Sequence, residues 1–217
     1  MEVRVARFID GARDARGRAV IVDVFRAFTT AAFCVAAGAR EIVLVADHET
    51  ALAMKAADPT LFLTGEIGGR SIAGFDVGNS PSAIVPLDLS GRRVVQRTSA
   101  GTQGVVSAGG AAEILLGSLV IAAATVRYLL VTDGDVTVVA MGRDGLDGAP
   151  EDDACAALIA ARLRGEAPAL EPITLGEDWP DWFPRRDAEL ALEVDRFDFA
   201  LPVTREGGLL IARPVYI

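Results

Sequence analysis

The sequence predicts an α/β protein with a three-layer α/β/α architecture around a largely parallel or mixed sheet. Short aliphatic, β-branched runs alternate with Ala-rich segments of helical length, and Gly-rich loops separate several of them. Runs that are apolar at nearly every position are typical of parallel strands covered on both faces, and the strand–helix alternation favours the same class. Because 51% of the 217 residues are hydrophobic, the chain can bury a substantial core. We expect a single domain over residues 1–217, built as one unit or as two intimate subdomains.

The first half of the chain shows this alternation most clearly. Gly38 is a stop signal for the first helix, and Asp47 is a suitable N-cap for the second, because its side chain can accept a backbone N–H. The Gly-rich stretch Gly65–Pro81 is predicted as a long loop, and loops of this length in compact domains are often functional. The predicted elements are, in chain order, strand Arg18–Val24, helix Arg26–Ala37, strand Glu41–Ala46, helix His48–Ala57 and strand Thr60–Leu63.

The second half contains the remaining predicted elements and two further loops, Ser99–Gly104 and Gly142–Pro150. Ser118–Leu130 is apolar and ambiguous between a strand followed by a helix and one continuous helix. Pro150 suits the first turn of a helix. The predicted elements are strand Arg93–Thr98, a short Ala/Gly-rich helix after Gly104, strand Val136–Met141, helix Glu151–Arg164, helix Asp187–Val194 and strand Leu209–Arg213.

The charge of the chain argues against several classes of partner. With 21 basic and 30 acidic residues the formal net charge is −9, and the sequence pI is near 4.7. Neither nucleic acid nor an anionic membrane surface is therefore an expected partner. An acidic protein that binds an anion must concentrate positive charge locally, through a metal, an arginine or helix N-termini.

The sequence also carries an expectation about location and assembly. The N-terminus lacks the charged-then-apolar pattern of a secretory signal, and no apolar run approaches the roughly 18 residues that span a bilayer. Cys34 and Cys155 lie in Ala-rich runs, which indicates buried thiols in a reducing compartment. We therefore expect a cytoplasmic protein. The apolar content and the region around Trp179 and Trp182 favour a homodimer, although a buried core explains the same composition.

The predicted loops follow the ends of predicted strands, which is where ligands bind in open α/β sheets. Asp23 ends the run VIVD. A carboxylate there is placed to bind a hard cation or to attack phosphorus as a nucleophile, and it also suits the capping of the next helix. Arg26, Thr29 and Thr30 follow on the next turn, where a guanidinium and helix-start amides can hold phosphate oxygens.

Two central loops supply further candidates. Glu66, Asp76 and Asn79 offer oxygen ligands suited to Mg²⁺, but the same composition is also good turn chemistry. The segment RTSAGT follows a strand and precedes a helix, so its hydroxyls and amides form either an anion-binding nest or a structural turn. It is not a Walker A loop, since it lacks the terminal Gly-Lys-Ser/Thr. The candidate binding residues of this segment are Arg97, Thr98, Ser99, Gly101 and Thr102.

The acids of the last loop have a structural explanation from the residues alone. Glu151, Asp152 and Asp153 fall in the first turn of a predicted helix, where the macrodipole stabilises negative charge.

Other phosphatase and hydrolase patterns fit poorly. Cys34 and Arg40 match the C-x5-R spacing of thiol phosphatases, but Cys34 lies in a predicted helix and not at the head of an anion loop. VIVD is similar to the aspartyl-nucleophile haloacid dehalogenase motif, yet the second acid expected two residues on is Phe25. His48 is the only histidine, which disfavours a Ser-His-Asp triad, a phosphohistidine mechanism or a His-rich zinc site.

Taken together, the motifs resemble those of the 2-phosphosulfolactate phosphatase family in order and spacing. The segments are VIVDVFRAFTTAA, GEIGG, GFDVGNSP, RTSAGT, GRDG, PEDDACA and FDFALPVTREGG. The resemblance covers nearly the whole chain and implies a Mg²⁺-dependent acid phosphatase with a layered α/β fold. It implies release of phosphate from 2-phospho-3-sulfolactate on a route to coenzyme M. Two departures, Ala100 for a usual asparagine and Ser99 for a common threonine, bear on the substrate, as do the bulky Phe25 and Phe28.

The sequence hypothesis is metal-assisted phosphomonoester hydrolysis of a small phosphorylated acid. Arg26, with Thr98 and Thr102, would hold the phosphate or the acidic groups of the substrate. The attacking group is either a metal-bound water or Asp23 itself. Two alternatives stay open: a related phosphatase for another phosphorylated hydroxy acid, and a non-catalytic anion-binding protein on the same scaffold. The expected Mg²⁺ ligands are drawn from Asp23, Glu66, Asp76 and Asp152.

Overall fold

The computed structural model describes residues 1–176 and 179–217. It shows a mixed, mostly parallel sheet with helices on both faces, which confirms the predicted fold class. Within these ranges no helix has the length and apolar character needed to cross a bilayer. The strands are β1 (Val3–Arg7), β2 (Arg18–Val22), β3 (Glu41–Leu44), β4 (Phe62–Ile67), β5 (Arg70–Ser71), β6 (Val77–Gly78), β7 (Arg93–Arg97), β8 (Glu113–Gly117), β9 (Val136–Ala140), β10 (Phe199–Glu206), β11 (Leu209–Ala212) and β12 (Val215–Tyr216).

The helices follow the strands closely in chain order, and a 3₁₀ turn at Leu119–Ile121 precedes the sixth of them. Asp47 caps the third helix as expected, because its carboxylate accepts the backbone N–H of Thr50. The helices are α1 (Phe8–Asp14), α2 (Ala27–Ala36), α3 (His48–Ala57), α4 (Pro81–Ile84), α5 (Gly101–Ser107), α6 (Ala122–Leu130), α7 (Pro150–Leu163) and α8 (Arg185–Ala191).

The sheet consists of two parallel groups of strands joined by an antiparallel hairpin. The order is β1-β9-β2-β8-β10-β11-β3-β7-β4-β5. Strands β1, β9, β2 and β8 run parallel, as do β3, β7 and β4. The hairpin β10–β11 pairs antiparallel with β8 on one side and with β3 on the other. The sheet is therefore continuous through both groups.

The core shows why strand β2 is apolar at every position. Successive side chains point to opposite faces of a sheet, so Ile21 packs in one hydrophobic cluster and Val20 and Val22 pack in another. The first cluster also contains Phe28 of helix α2 and Val94 of strand β7. Both groups of strands therefore pack against helix α2, and this arrangement brings the ends of β2 and β7 together.

The structure corrects several element predictions. The predicted strand Thr60–Leu63 is displaced, because β4 starts at Phe62 and continues through Ile67. Glu66 consequently lies in a strand and not in a loop. Ser118–Leu130 is a 3₁₀ turn followed by helix α6, while the strand of this region, β8, precedes it and was not predicted. Strands β1 and β10 and helix α1 were also not predicted.

Candidate active site

A cleft of about 610 Å³ opens at the carboxyl ends of strands from both parallel groups. Asp23 follows β2, Glu66 lies near the end of β4, and Asp152 stands in the first turn of α7, which follows β9. Asn79 and Arg26 line the same cleft. The structure thus brings together acids that are up to 129 positions apart in the chain, as the convergence of strand ends requires.

Asp23 is held at the edge of helix α2 by backbone amides. Its Oδ1 accepts the N–H of Ala27 at 3.0 Å, and the N–H of Gly101 also bonds to its carboxylate. Glycine is required at position 101 because an added Cβ would lie 2.8 Å from Oδ2 of Asp23 and 2.8 Å from Cβ of Ala27. The beginning of helix α5 can therefore approach the carboxylate closely.

Asp23 and Asp152 are two buried acids that disfavour each other's ionisation. The pKa of Asp23 is raised to about 7, chiefly because burial removes the carboxylate from water; the Ala27 N–H opposes the rise and the charge of Glu66 adds to it. The pKa of Asp152 is raised well above its usual value by burial and by the charge of Asp23. A cation between these groups would favour both ionised forms.

Asp152 also has a clear positioning role. Its Oδ1 accepts the N–H of Val24 at 2.7 Å, and its Oδ2 accepts the N–H of Gly142 at 2.8 Å. The carboxylate therefore ties the residues after β2 to the residues after β9. Both oxygens of Asp152 therefore have structural partners outside helix α7, and each oxygen keeps a second lone pair for a further partner.

Glu66 receives three donors from two loops. Its Oε1 accepts the N–H of Ser99 at 2.5 Å, and its Oε2 accepts the Ser99 hydroxyl at 3.0 Å and the N–H of Gly69 at 2.7 Å. The donors of the RTSAGT loop that face the cleft thus bond a carboxylate of the protein itself. Glu66 therefore orders the beginning of this loop, and the residue also lines the cleft.

Arg26 is buried and fixed by an acid that sequence reasoning missed. Its Nη1 lies 2.9 Å from Oδ2 of Asp187 in helix α8, and its Nη2 donates to the carbonyl of Gly69 at 3.1 Å. Asp187 is fully buried, and its other oxygen accepts the N–H and hydroxyl of Ser82 and the hydroxyl of Ser80. A single acid in the first turn of a short helix carried no signal of this role.

Asn79 supplies the observation that tests whether a cation fits. Its Oδ1 is buried and has no hydrogen-bond partner among the described residues, although the side chain lines the cleft. A buried, unpaired amide oxygen is costly unless a donor or a cation satisfies it. Asn79, Asp23 and Glu66 present hard oxygen atoms of the kind that Mg²⁺ binds. The residues present therefore fit a magnesium ion.

The carboxylates do not form a dense metal cluster. In the described part of the chain, no three Asp, Glu, His or Cys side chains converge closely enough to enclose an ion. Mg²⁺ commonly uses one or two carboxylates together with water and substrate phosphate oxygens, so an open set of ligands is compatible with it.

Asp76 lies away from the cleft, which corrects its prediction as a metal ligand. Its carboxylate forms an ion pair with Lys55 and accepts the N–H of Leu63 at 2.7 Å. Leu63 is three positions before Glu66 on β4, so about 10 Å of strand separates the two acids. Asp76 is therefore not placed to share a cation with Asp23.

The threonines of the RTSAGT segment stabilise its local turn. Oγ1 of Thr98 accepts the N–H of Thr102 at 3.0 Å, and Oγ1 of Thr102 donates to the carbonyl of Thr98 at 2.8 Å. Arg97 donates to the carbonyls of Ala46 and Glu66. None of these three side chains is among the described residues that line the cleft, whereas Ser99 is.

Thr29 and Thr30 also lie behind the cleft. Thr29 donates its hydroxyl to the carbonyl of Val24, and Thr30 is fully buried within helix α2. Cys34 lies in the same helix, and burial raises the pKa of its thiol, so it is not the nucleophile of a thiol phosphatase.

One wall of the cleft is aromatic. Phe25 meets the rings of Phe183 and Trp179 edge-on, with centroid separations of 5.6 and 6.3 Å. Trp182 stacks on Phe183 and covers Gly69, where an added Cβ would lie 2.5 Å from the indole. Sequence reasoning noted Phe25, Trp179 and Trp182 separately but could not place them together.

Two further charged residues of the cleft are Arg143 and Glu151. Both line the cleft, and burial raises the pKa of Glu151 while the charge of Arg143 opposes that rise. Both residues belong to motifs that the sequence analysis singled out, GRDG and PEDDACA, although neither was assigned a role, because the macrodipole of a helix explains an acid such as Glu151 in its first turn.

The fold and the cleft define an α/β protein with buried carboxylates and an arginine at the ends of its parallel strands. A sequence model of the 2-phosphosulpholactate phosphatase family matches residues 7–177. The chain belongs to that family, as its motifs indicated.

Individual proteins that are similar to this chain carry the name of the same family. A protein of Deinococcus radiodurans named "Probable 2-phosphosulfolactate phosphatase" is 40% identical over 148 residues, 66% of this chain and 60% of the relative. Proteins of the same name from Parasynechococcus marenigrum and Bacillus subtilis are 34% and 33% identical, over 81% and 67% of this chain and 75% and 64% of the relatives. The chain therefore aligns with less than two thirds of the Deinococcus and Bacillus proteins.

Proposed function

We propose that the protein is a phosphomonoesterase that works with Mg²⁺. The observation that carries this proposal is the convergence of Asp23, Glu66, Asn79 and Arg26 on one cleft. Hard oxygen atoms for a divalent cation and a guanidinium for phosphate are the two requirements of metal-assisted phosphoryl transfer. The printed names of the family and of the relatives point to the same reaction class.

Asp23, Glu66 and Asn79 would hold the ion, and Asp152 would keep the loops that carry Asp23 in register. When bound, Mg²⁺ neutralises charge on the phosphoryl oxygens. Asp23 has the raised pKa expected of an acid whose ionised form needs a positive partner. Binding of a cation to the site therefore lowers the free-energy cost of burying the ionised Asp23 carboxylate.

Arg26 would bind the phosphate of the substrate. A guanidinium has five N–H donors, and in this structure only the bonds to Asp187 and Gly69 use them among the described residues. The remaining donors can form charge-assisted hydrogen bonds to phosphate oxygens. The Asp187 pair and the Phe183 ring beneath the guanidinium hold it in one orientation.

The reaction breaks the ester P–O bond, forms a new bond from phosphorus to the attacking oxygen, and delivers a proton to the leaving oxygen. Two attacking groups remain open, a water molecule or the Asp23 carboxylate. Acid quenching during turnover and mass spectrometry of the Asp23 peptide distinguish the two routes, because a phosphorylated Asp23 forms only when the carboxylate attacks. Labelled water would not distinguish them, since water attacks phosphorus in the final step of both and its oxygen enters inorganic phosphate.

The substrate named by the relatives, 2-phospho-3-sulfolactate, is the first to be tested, with sulfolactate and phosphate as products. Ala100, which lines the cleft where the family motif carries asparagine, favours a related activity on another phosphate ester as a second candidate.

We further propose that the protein is cytoplasmic, since Cys34 and Cys155 are both free thiols. Homodimer formation stays a prediction for light scattering to check.

A phosphate-release assay over a panel of phosphomonoesters, with Mg²⁺ or with EDTA, tests the proposal. We expect turnover only with the metal, and a loss of at least about 100-fold for Asp23→Asn. Asp133→Asn, at an exposed position outside the cleft, serves as the matched acid control. Absence of turnover on every ester, or full activity of Asp23→Asn, contradicts the proposal and leaves an anion-binding protein as the better description.

A further inference from the structure

We propose that Arg143 is the second anion receptor of the cleft and binds a carboxylate or sulfonate group of the substrate, while Arg26 binds its phosphate. The inference rests on the proposed function for the phosphate site. Its own content is a preference for phosphate esters that carry a further acid group, and this preference can be measured separately from hydrolysis.

Arg143 is a cation of the cleft whose side chain has no partner in the part of the chain that the structure describes. The described residues that line the cleft include two arginines, Arg26 and Arg143. Arg26 already binds Asp187 and the carbonyl of Gly69. The guanidinium of Arg143 forms neither an ion pair nor a hydrogen bond with a described residue, and the residue is exposed. Its N–H donors are therefore open to a ligand.

The charge of this guanidinium acts on the cleft. Burial raises the pKa of Glu151, and the positive charge of Arg143 opposes that rise. Glu151 itself lines the cleft. Because the interaction of two charges falls off with distance and with screening by salt, the guanidinium lies near Glu151 and not on the far side of its turn.

The backbone that carries Arg143 is held in a tight turn by bonds that do not use its side chain. The N–H of Arg143 donates to the carbonyl of Asp147 at 2.7 Å, and the N–H of Asp147 donates to the carbonyl of Arg143 at 3.1 Å. Gly142 precedes this pair with a φ of +67°, and a Cβ there would overlap the carbonyl oxygen of Asp147. The turn therefore explains the glycine but not the arginine.

Asp152 holds this turn next to the segment that carries Arg26. One oxygen of its carboxylate accepts the N–H of Val24 at 2.7 Å, and the other accepts the N–H of Gly142 at 2.8 Å. Val24 is two positions before Arg26, and Gly142 immediately precedes Arg143. The two arginines therefore extend from backbone segments that a single carboxylate bridges, so a small substrate with two acid groups can contact both.

The acids of the cleft restrict where a second acid group can bind. A ligand carboxylate or sulfonate that lay against them without a counter-charge would be repelled and would lose its hydration. Beside Arg143 it would receive charge-assisted hydrogen bonds from a planar fork that matches two of its oxygen atoms. The acids among the described lining residues are Asp23, Glu66, Asp144, Glu151 and Asp152.

The RTSAGT loop offers little to such a group. The N–H and the hydroxyl of Ser99 already bond the carboxylate of Glu66. Ala100 lines the cleft without a polar side chain, where the family motif carries asparagine. This loop therefore does not replace Arg143 as the receptor of a second acid group.

Calorimetry with phosphonates, which cannot be hydrolysed, measures binding in the presence of Mg²⁺. Methylphosphonate carries no second acid, phosphonoacetate carries a carboxylate, and phosphonomethanesulfonate carries a sulfonate. We expect Arg143→Gln to weaken at least one of the two diacids by about tenfold and to change methylphosphonate by less than about twofold. The diacid that is weakened identifies the group that Arg143 binds. Arg143→Lys should recover part of the loss, because lysine keeps the charge but not the planar fork.

Arg205→Gln is the matched control, since Arg205 is exposed and is not among the described residues that line the cleft. It removes the same charge from the protein and should alter none of the three affinities. Each ligand is compared between proteins, so its own affinity for Mg²⁺ cancels. Equal changes for all three ligands in Arg143→Gln, no change for any of them, or the same loss in Arg205→Gln overturns the inference. Failure of both diacids to bind the wild type also overturns it.

Turnover separates this inference from the proposed function. For 2-phosphosulfolactate and 2-phosphoglycolate, we expect Arg143→Gln to raise KM about tenfold and to change kcat by less than about threefold, with ethyl phosphate unaffected. Arg143-dependent binding of a diacid without hydrolysis of any ester overturns the proposed function and supports the inference. Hydrolysis of the esters with the same KM in wild type and Arg143→Gln supports the proposed function and overturns the inference.

Discussion

Arg26 and Asp187 form a buried ion pair that joins the start of helix α2 to helix α8 across 161 positions of sequence. The guanidinium and the carboxylate are 6% and 0% exposed, so each depends on the other for charge compensation. Because Asp187 also binds Ser80 and Ser82, it connects the arginine to the turn after β6 that follows Asn79. The pair therefore fixes the cleft from two sides.

Asp187→Ala should destabilise the protein by about 3–5 kcal/mol, because it leaves Arg26 buried without a partner. It should also raise KM for any phosphate ester more than it lowers kcat, since the guanidinium loses its fixed orientation. Urea unfolding and steady-state kinetics measure the two effects. The double variant Arg26→Ala/Asp187→Ala should recover part of the lost stability; strictly additive losses would show that the two side chains do not interact.

Metal-free protein should lose stability as the pH rises from about 4 to 7. The pKa of Asp23 is raised from 3.8 to about 7, so in this interval the folded state binds a proton that the unfolded state has released. The free energy of unfolding then falls by up to about 1.4 kcal/mol per pH unit for one proton. Asp152, whose pKa is also raised, acts in the same direction.

Thermal unfolding in EDTA across this pH range measures the effect. Asp23→Asn should flatten the profile, and Mg²⁺ should stabilise the wild type more at pH 7.5 than at pH 5, because the cation binds the ionised acids. A metal-free melting temperature that climbs with pH would contradict the assignment of raised pKa values to these two acids.

Gly101→Ala should destabilise the protein by about 1–3 kcal/mol and lower its activity, because the added methyl group meets the Asp23 carboxylate and the Ala27 Cβ at 2.8 Å. Gly109→Ala is the matched control, since nothing lies within 4 Å of a Cβ there. Chemical denaturation and phosphate release report the two effects. Equal stability of the two variants would mean that helix α5 does not press against Asp23.

Glu66→Gln should weaken Mg²⁺ binding by at least about tenfold, because it removes the negative charge and sets an NH2 group against one of the two backbone N–H donors, of Ser99 and Gly69, that the carboxylate accepts. Asp76→Asn should leave Mg²⁺ affinity unchanged, since its carboxylate pairs with Lys55 outside the cleft. Metal titration followed by calorimetry compares the variants. Loss of Mg²⁺ affinity in Asp76→Asn would restore the ligand set that the sequence predicted.

Sequence patterns within a few neighbouring residues predicted those helices and strands whose caps and composition are distinctive on their own. The helix His48–Ala57 was predicted with the bounds that the structure shows, because Asp47 caps it and its composition favours helix. Strand β1 was missed because it alternates charged and apolar residues at an exposed edge. Strand β8 was missed because its short apolar run merges with the apolar turn and helix that follow.

The amino-acid sequence alone was enough to predict the fold class, the family and the order of the acid-bearing segments. Apolar runs, helix caps and motif spacing are properties of neighbouring residues and can be recognised without a structure. Only the tertiary structure decided which of those polar groups share a cleft. Asp76 and Asp23 were both predicted as metal ligands from the sequence. The partners of a carboxylate, however, depend on strand register and on how both groups of strands pack around helix α2. The same packing brought Asp187 and Trp182 beside Arg26, a meeting that no local pattern encodes.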